Sequence, residues 1–223
     1  MEIIPAIMPK NFEELSEKAG LVRGLVDFVQ VDIMDGKLTK HSSWPYKKTP
    51  DVYFDALKNE SKGLPFWEDL DYEFDLMVVN PEEVVRDFVN SGASRIIIHV
   101  ETITNWTDII EVLKEKVEIG LAIGISTPID ILEPYINDID FIQCMGIARI
   151  GLQGEPFDEK VLEKISQIKS LYPDKIVSVD GGVHEDSAPI LIASGADRLV
   201  VGSSIFESGD VEEAIENLKS TLG

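Results

Sequence analysis

The chain has 223 residues, 44% of them hydrophobic, and a formal charge of −21. That length and apolar content suit one α/β barrel or one doubly wound domain with a sizeable core. The charge argues against nucleic acid and anionic membranes as partners, whereas a phosphorylated small molecule stays open because backbone N–H groups can hold it. One cysteine, Cys144, excludes an internal disulfide. The start, Met1-Glu2-Ile3-Ile4-Pro5, does not read as a signal peptide. No apolar run reaches the roughly 20 residues of a spanning helix, so a soluble, cytoplasmic protein is expected.

Taken in order, short apolar runs alternate with helical patterns. Ile3 to Ile7 reads as a strand, and Asn11 caps a helix from Phe12 to about Arg23. A second strand, Phe28-Val29-Gln30-Val31-Asp32-Ile33-Met34, leads into Asp35-Gly36 and a long polar loop, Lys37 to Pro50. A loop of that size at a strand end is usually functional or mobile. A short helix follows at Asp51 to Lys58, then a third strand, Tyr72 to Met77, and a helix opened by Pro81 and running through Val89. Arg95 to His99 is the fourth strand, with a helix from about Asn105 to Lys116. Glu118 to Ile123 is the fifth, with a short helix after Thr127-Pro128. Phe141 to Met145 is the sixth, before an amphipathic helix from Asp158 to Ser170. Lys175 to Asp180 is the seventh, before a helix from Ser187 to Ser194. Arg198 to Val201 is the eighth, and Val211 to Leu222 closes the chain. Eight such repeats predict a single (β/α)8 TIM barrel over residues 1–223; an open doubly wound sheet would be the fallback.

Chemistry in such a barrel sits at the carboxyl ends of its strands. Those ends are Ala6, Asp32, Asp75, His99, Met145, Asp180 and Gly202. Two carboxylates facing one substrate can serve as acid and base, and three in one pocket call for a cation or a shared proton. Each Asp taken alone could equally cap the next helix, and Asp75 could pair with a nearby Lys or Arg. Gly181-Gly182 and Gly202-Ser203 lie in the two loops that commonly bind phosphate in barrel enzymes.

These residues carry a family resemblance. Val31-Asp32-Ile33-Met34-Asp35-Gly36, Asp75-Leu76-Met77-Val78-Val79-Asn80-Pro81, His99-Val100-Glu101, Val179-Asp180-Gly181-Gly182 and Gly202-Ser203-Ser204-Ile205-Phe206 together resemble ribulose-phosphate 3-epimerases over nearly the whole length. The resemblance implies a ribulose-phosphate-binding (β/α)8 barrel. It implies an isomerase that inverts carbon 3 of a phosphorylated ketose of the ribulose 5-phosphate/xylulose 5-phosphate type. It further implies Asp32 and Asp180 as the acid–base pair, Met34, Met77 and Met145 lining the pocket, and phosphate on the backbone of Gly181, Gly182, Gly202 and Ser203.

The departures fall on the metal site. The two histidines of the resembled pattern fall at Gln30 and Asp75, and its early Ser falls at Ala6. Gln30, Asp32, Asp75 and Asp180 would make an all-oxygen set, so the expected cofactor is magnesium or manganese in preference to zinc, or none. The loop from Gly146 to Gly154 matches no familiar phosphate loop. The alternatives are another phosphosugar isomerase or lyase on the same barrel, or a phosphosugar-binding homologue without catalysis. Lesser candidates are His99 beside Glu101, His41 as a lid contact, His184 at a helix start, and Arg149 as a phosphate ligand. Trp44 and Tyr46 suit either a cover over the mouth or the contact of a homo-oligomer.

Overall fold

Strand β2 (Phe28–Met34) shows how the sequence builds the architecture. Its alternate residues point two ways, yet nearly all are buried. Val29, Val31 and Ile33 join the main core between strands and helices, while Gln30 and Asp32 are buried polar groups inside the ring of strands. A strand covered on both faces reads as a near-continuous apolar run, and polar residues survive there only where they find partners.

The computed structural model describes residues 1–152 and 154–221. The other strands are β1 (Glu2–Ile7), β3 (Asp71–Met77), β4 (Arg95–His99), β5 (Glu118–Ile123), β6 (Phe141–Met145), β7 (Ile176–Asp180) and β8 (Arg198–Val201). They pair in parallel and in chain order, and β8 closes on β1. The helices are α1 (Phe12–Val22), α2 (Val52–Lys58), α3 (Val85–Asn90), α4 (Trp106–Leu113), α5 (Lys160–Leu171), α6 (Ala188–Ala193), α7 (Ser203–Phe206) and α8 (Val211–Ser220). Among the described residues no helix is long and apolar enough to cross a membrane.

The eight-stranded barrel expected from the repeats is present, with three local differences. The helix opened by Pro81 is broken: a 3-10 turn at Pro81–Glu83 precedes α3. After β5 there is only a 3-10 turn, Ile129–Leu132, where Pro128 and Pro134 bracket the segment. A short helix, α7, begins directly after Gly202 and went unread in the sequence. The expected end of the last helix, Leu222, and Gln153 of the loop after β6 lie outside the described residues.

The amino end of the barrel is sealed by charge. Arg95 pairs with Glu73 at 3.1 Å, Glu2 at 3.3 Å and Glu118 at 3.0 Å. Arg198 pairs with Glu2 at 3.0 Å and Glu118 at 3.2 Å. Each guanidinium also lies over a ring, Arg95 on Phe28 and Arg198 on Phe141. Phe141 presses directly on Gly120 of β5, so that a methyl there would collide with the ring. Gly120→Ala is expected to lower stability by about 1–3 kcal/mol through this overpacking. Phe141→Leu should recover part of the loss in the double variant, measured as a shift in urea midpoint. Simple additivity of the two losses would contradict this packing.

Candidate active site

Parallel register brings the strand ends to one level. Asp32 pairs with Asp75 across β2 and β3, and Met145 with Asp180 across β6 and β7. The three Asp carboxylates converge, each offering an oxygen within 4.8 Å of the others. Asp75 is fully buried and Asp180 partly exposed.

Neutral amides and one imidazole hold this charge. Gln30 Nε2 donates to Asp32 Oδ1 and to Asp180 Oδ2, both at 2.8 Å. His99 Nε2 lies 3.1 Å from Asp75 Oδ1, and Gln143 Nε2 donates to Asp75 Oδ2 at 3.3 Å. His99 therefore sits under the cluster, its main partner Asp75 and not Glu101, which is 4.0 Å away. Among the described residues Asp75 meets the other two carboxylates and bonds to no Lys or Arg.

Burial, then the charges of Asp180 and Asp75, hold Asp32 well above the ordinary carboxylate range, against the Gln30 hydrogen bond. Burial and the Asp75 charge push Asp180 up to about 7. Burial would lower His99, but the Asp75 carboxylate outweighs it and the imidazole titrates above its usual value.

Above the cluster lies a cleft of about 270 Å³. Asp32, Asp180, Met77 and Met145 line it, as do Gly181, Gly182, Gly202 and Ser203. Met34 does not reach it: the residue is buried behind the wall, where a Cβ on Gly151 would lie 3.0 Å from its Sδ. Gln30 and Asp75 are fully buried and outside the lining. Gln30 also turns the nitrogen of its amide, not the oxygen expected of a ligand, toward the carboxylates.

The loop after β6 contributes more than its sequence suggested. Gly151 and Gly154, both at positive φ, line the cleft, as do Ile147 and Phe157. Gly146 is pressed against the Gly181 carbonyl and donates its N–H to Asp180 O at 2.7 Å. Gly151 reaches across to Thr39 in the loop after β2, where a Cβ would fall 2.6 Å from Thr39 Cγ2. The readable signal was the glycine spacing at 146, 151 and 154. Arg149 is outside the lining: its side chain is 71% exposed and it pairs with Glu155, a cleft residue, at 2.7 Å. His184 does line the cleft, which among its described residues holds no Lys or Arg.

The loop after β2 is pinned, not loose. Ser43 Oγ donates to the Asp32 carbonyl at 2.6 Å and accepts the Met34 N–H. Trp44 is buried between Phe12 and Phe54, so it neither covers the mouth nor faces a partner. His41 is exposed and lines no part of the cleft. Asp35 serves the turn, accepting N–H bonds from Lys37 and Leu38 and, from the segment after β3, from Val79.

Fold and site together define a (β/α)8 barrel with an acidic, glycine-rimmed cleft at the carboxyl ends of its strands. The chain belongs to the ribulose-phosphate 3 epimerase family, whose model matches residues 2–206. It is 26% identical to ribulose-phosphate 3-epimerase of Bacillus subtilis, over 99% of each chain. It is 33% identical to ribulose-phosphate 3-epimerase of Chlamydia pneumoniae, over 92% of this chain and 87% of that one. In fold it is similar to 3-keto-L-gulonate-6-phosphate decarboxylase of Vibrio cholerae, with a TM-score of 0.72 at 14% identity, covering 99% of this chain and 96% of that one.

The raised carboxyls set a pH dependence. A carboxyl whose folded pKa exceeds its unfolded value, about 4, binds its proton more tightly in the folded chain. Its stabilisation is complete at low pH and is lost as pH rises through about 7 for Asp180. The raised His99 acts in the same direction. In chelator-treated protein the melting temperature is expected to fall between pH 5 and pH 8, and Asp180→Asn should flatten that fall. A wild-type profile that is level or rises across this range would contradict the crowded cluster.

Proposed function

We propose that this protein epimerises carbon 3 of a phosphorylated ketose of the ribulose 5-phosphate/xylulose 5-phosphate type. The observation that carries the reading is the meeting of Asp32 and Asp180, from β2 and β7, on one amide at the floor of the cleft. Two acids on separated strands suit a reaction that needs a base on one face of a carbon and an acid on the other. Family membership and the names of the relatives support the same reaction.

One Asp takes the hydrogen from carbon 3, beside the ketone, and an enediolate forms. The other Asp returns a proton to the opposite face. The pair suits both roles near neutrality, because burial and crowding raise the proton affinity of both carboxyls above the ordinary range. Met77 and Met145 supply an apolar, polarisable wall that keeps water from the carbanion. The phosphate lies at Gly181, Gly182, Gly202 and Ser203, where backbone N–H groups take the place of cationic side chains.

The donor set fits a divalent cation: three carboxylate oxygens converge on one point. Asp32, Asp75 and Asp180 would hold it, magnesium or manganese suits such hard ligands better than zinc, and its charge would stabilise the enediolate oxygens.

Asp32→Asn and Asp180→Asn are each expected to lower kcat by about 10²–10⁴ with ribulose 5-phosphate, in a coupled assay for xylulose 5-phosphate. Retention of wild-type kcat by either variant would remove that residue from the reaction. Ser203→Asp sets a carboxylate against the phosphate and should raise KM at least about tenfold with little change in kcat. An unchanged KM would displace the phosphate from this rim.

A further inference from the structure

Gln30 lies between the two carboxylates of the acid–base pair. It is fully buried, two residues before Asp32 on β2. Its single amide nitrogen reaches one oxygen of each carboxylate at 2.8 Å, and these carboxylates are 148 positions apart, 32 against 180. Among the described residues no other side chain hydrogen-bonds to either one. A primary amide carries two N–H donors, so one can serve each carboxylate. With carboxylate oxygens on both sides, the oxygen end of the amide is excluded from this point by repulsion. The carbonyl end faces the other way, buried and without a hydrogen-bond partner.

We infer that Gln30 is the positioning residue of the pair, a neutral bridge that aligns Asp32 with Asp180 where a cation would otherwise tie them together. This rests on the epimerase reading for its catalytic consequence, but the bridge itself does not. Three features follow from the geometry. The two carboxylates stay aligned with no metal bound. Their charge is softened but not cancelled, because N–H groups supply partial charge only. A cation that approaches Asp32 and Asp180 meets the donor face of the amide, and must turn the amide over before its oxygen can ligate. Gln30 thereby weakens cation binding and disfavours metals that prefer imidazole. The orphaned carbonyl is the residual cost of holding the amide in its donor orientation, since a buried acceptor without a partner is unfavourable.

Two variants separate this from a merely structural role. Gln30→Met keeps the length and apolar bulk of the side chain and removes both donors. Gln30→His replaces the amide with a metal-ligating ring. In chelator-treated protein Gln30→Met is expected to lose about 10–100-fold in kcat with ribulose 5-phosphate, with KM within about twofold. Calorimetric titration with zinc chloride should show Gln30→His binding at least about 100-fold more tightly than the wild type. The titration needs no substrate, so it tests the bridge even if the wild type turns over no phosphoketose. It also decides the matter alone if thermal melting shows that Gln30→Met is unfolded. Wild-type kcat in folded, metal-free Gln30→Met would overturn the inference. So would a zinc affinity in Gln30→His equal to that of the wild type.

Discussion

Three carboxylates at the dry mouth of a barrel repel one another, and the upper half of this molecule is arranged around that constraint. Asp32, Asp75 and Asp180 sit close enough for their oxygens to share one point. Each is answered differently. Asp75 is matched by His99 and Gln143 beneath it, while Asp32 and Asp180 share the amide of Gln30. What remains unanswered is expressed as raised proton affinity, which is the property an acid–base pair needs near neutral pH. The amino end of the barrel makes a useful contrast. There the Glu residues meet two guanidinium groups, and the result is a charged floor held by ion pairs. One barrel thus carries two acidic clusters, one paired with guanidinium groups and one with no Lys or Arg among its described partners.

The glycines around the cleft follow from the same shortage. The cleft of this chain of charge −21 is lined by no described Lys or Arg, so backbone N–H groups are the donors it can offer to an anion. That requires close backbone approach, visible where Gly146 meets the Gly181 carbonyl and where Gly182 meets Phe157. Through these contacts the loop after β6 fits against the loop after β7, and it meets the loop after β2 where Gly151 faces Thr39.

Much of this was legible in the sequence. The strands were readable because each is buried on both faces, and Asp32, Asp75 and Asp180 were readable because they stand at strand ends. The alternation of strand and helix made the closed barrel the natural reading. Other features depend on distant pairing, which local pattern does not encode. His99 could be seen as a strand-end residue, but its main partner was hidden, since Asp75 is 24 positions away and Glu101 only two. Gln30 was read as an oxygen ligand standing where the resembled pattern has a histidine. That its nitrogen would span two carboxylates depends on where β7 lies relative to β2. Met34 shows the reverse case, a residue that the resemblance placed in the pocket and that lies buried against Gly151, outside the lining. Trp44 looked like a surface aromatic in a polar loop, yet Phe12 and Phe54 enclose it.

The central claim is that the cleft removes and returns the proton on carbon 3 of a phosphoketose, and isotope incorporation tests it most directly. The wild-type protein is incubated with ribulose 5-phosphate in deuterium oxide, with and without added magnesium, and the sugar is followed by NMR. The expected result is xylulose 5-phosphate carrying deuterium at carbon 3, with no deuterium at carbons 4 and 5. Ribulose 5-phosphate that is bound but keeps its carbon 3 hydrogen under both conditions would contradict the claim and mark the cleft as a binding site alone.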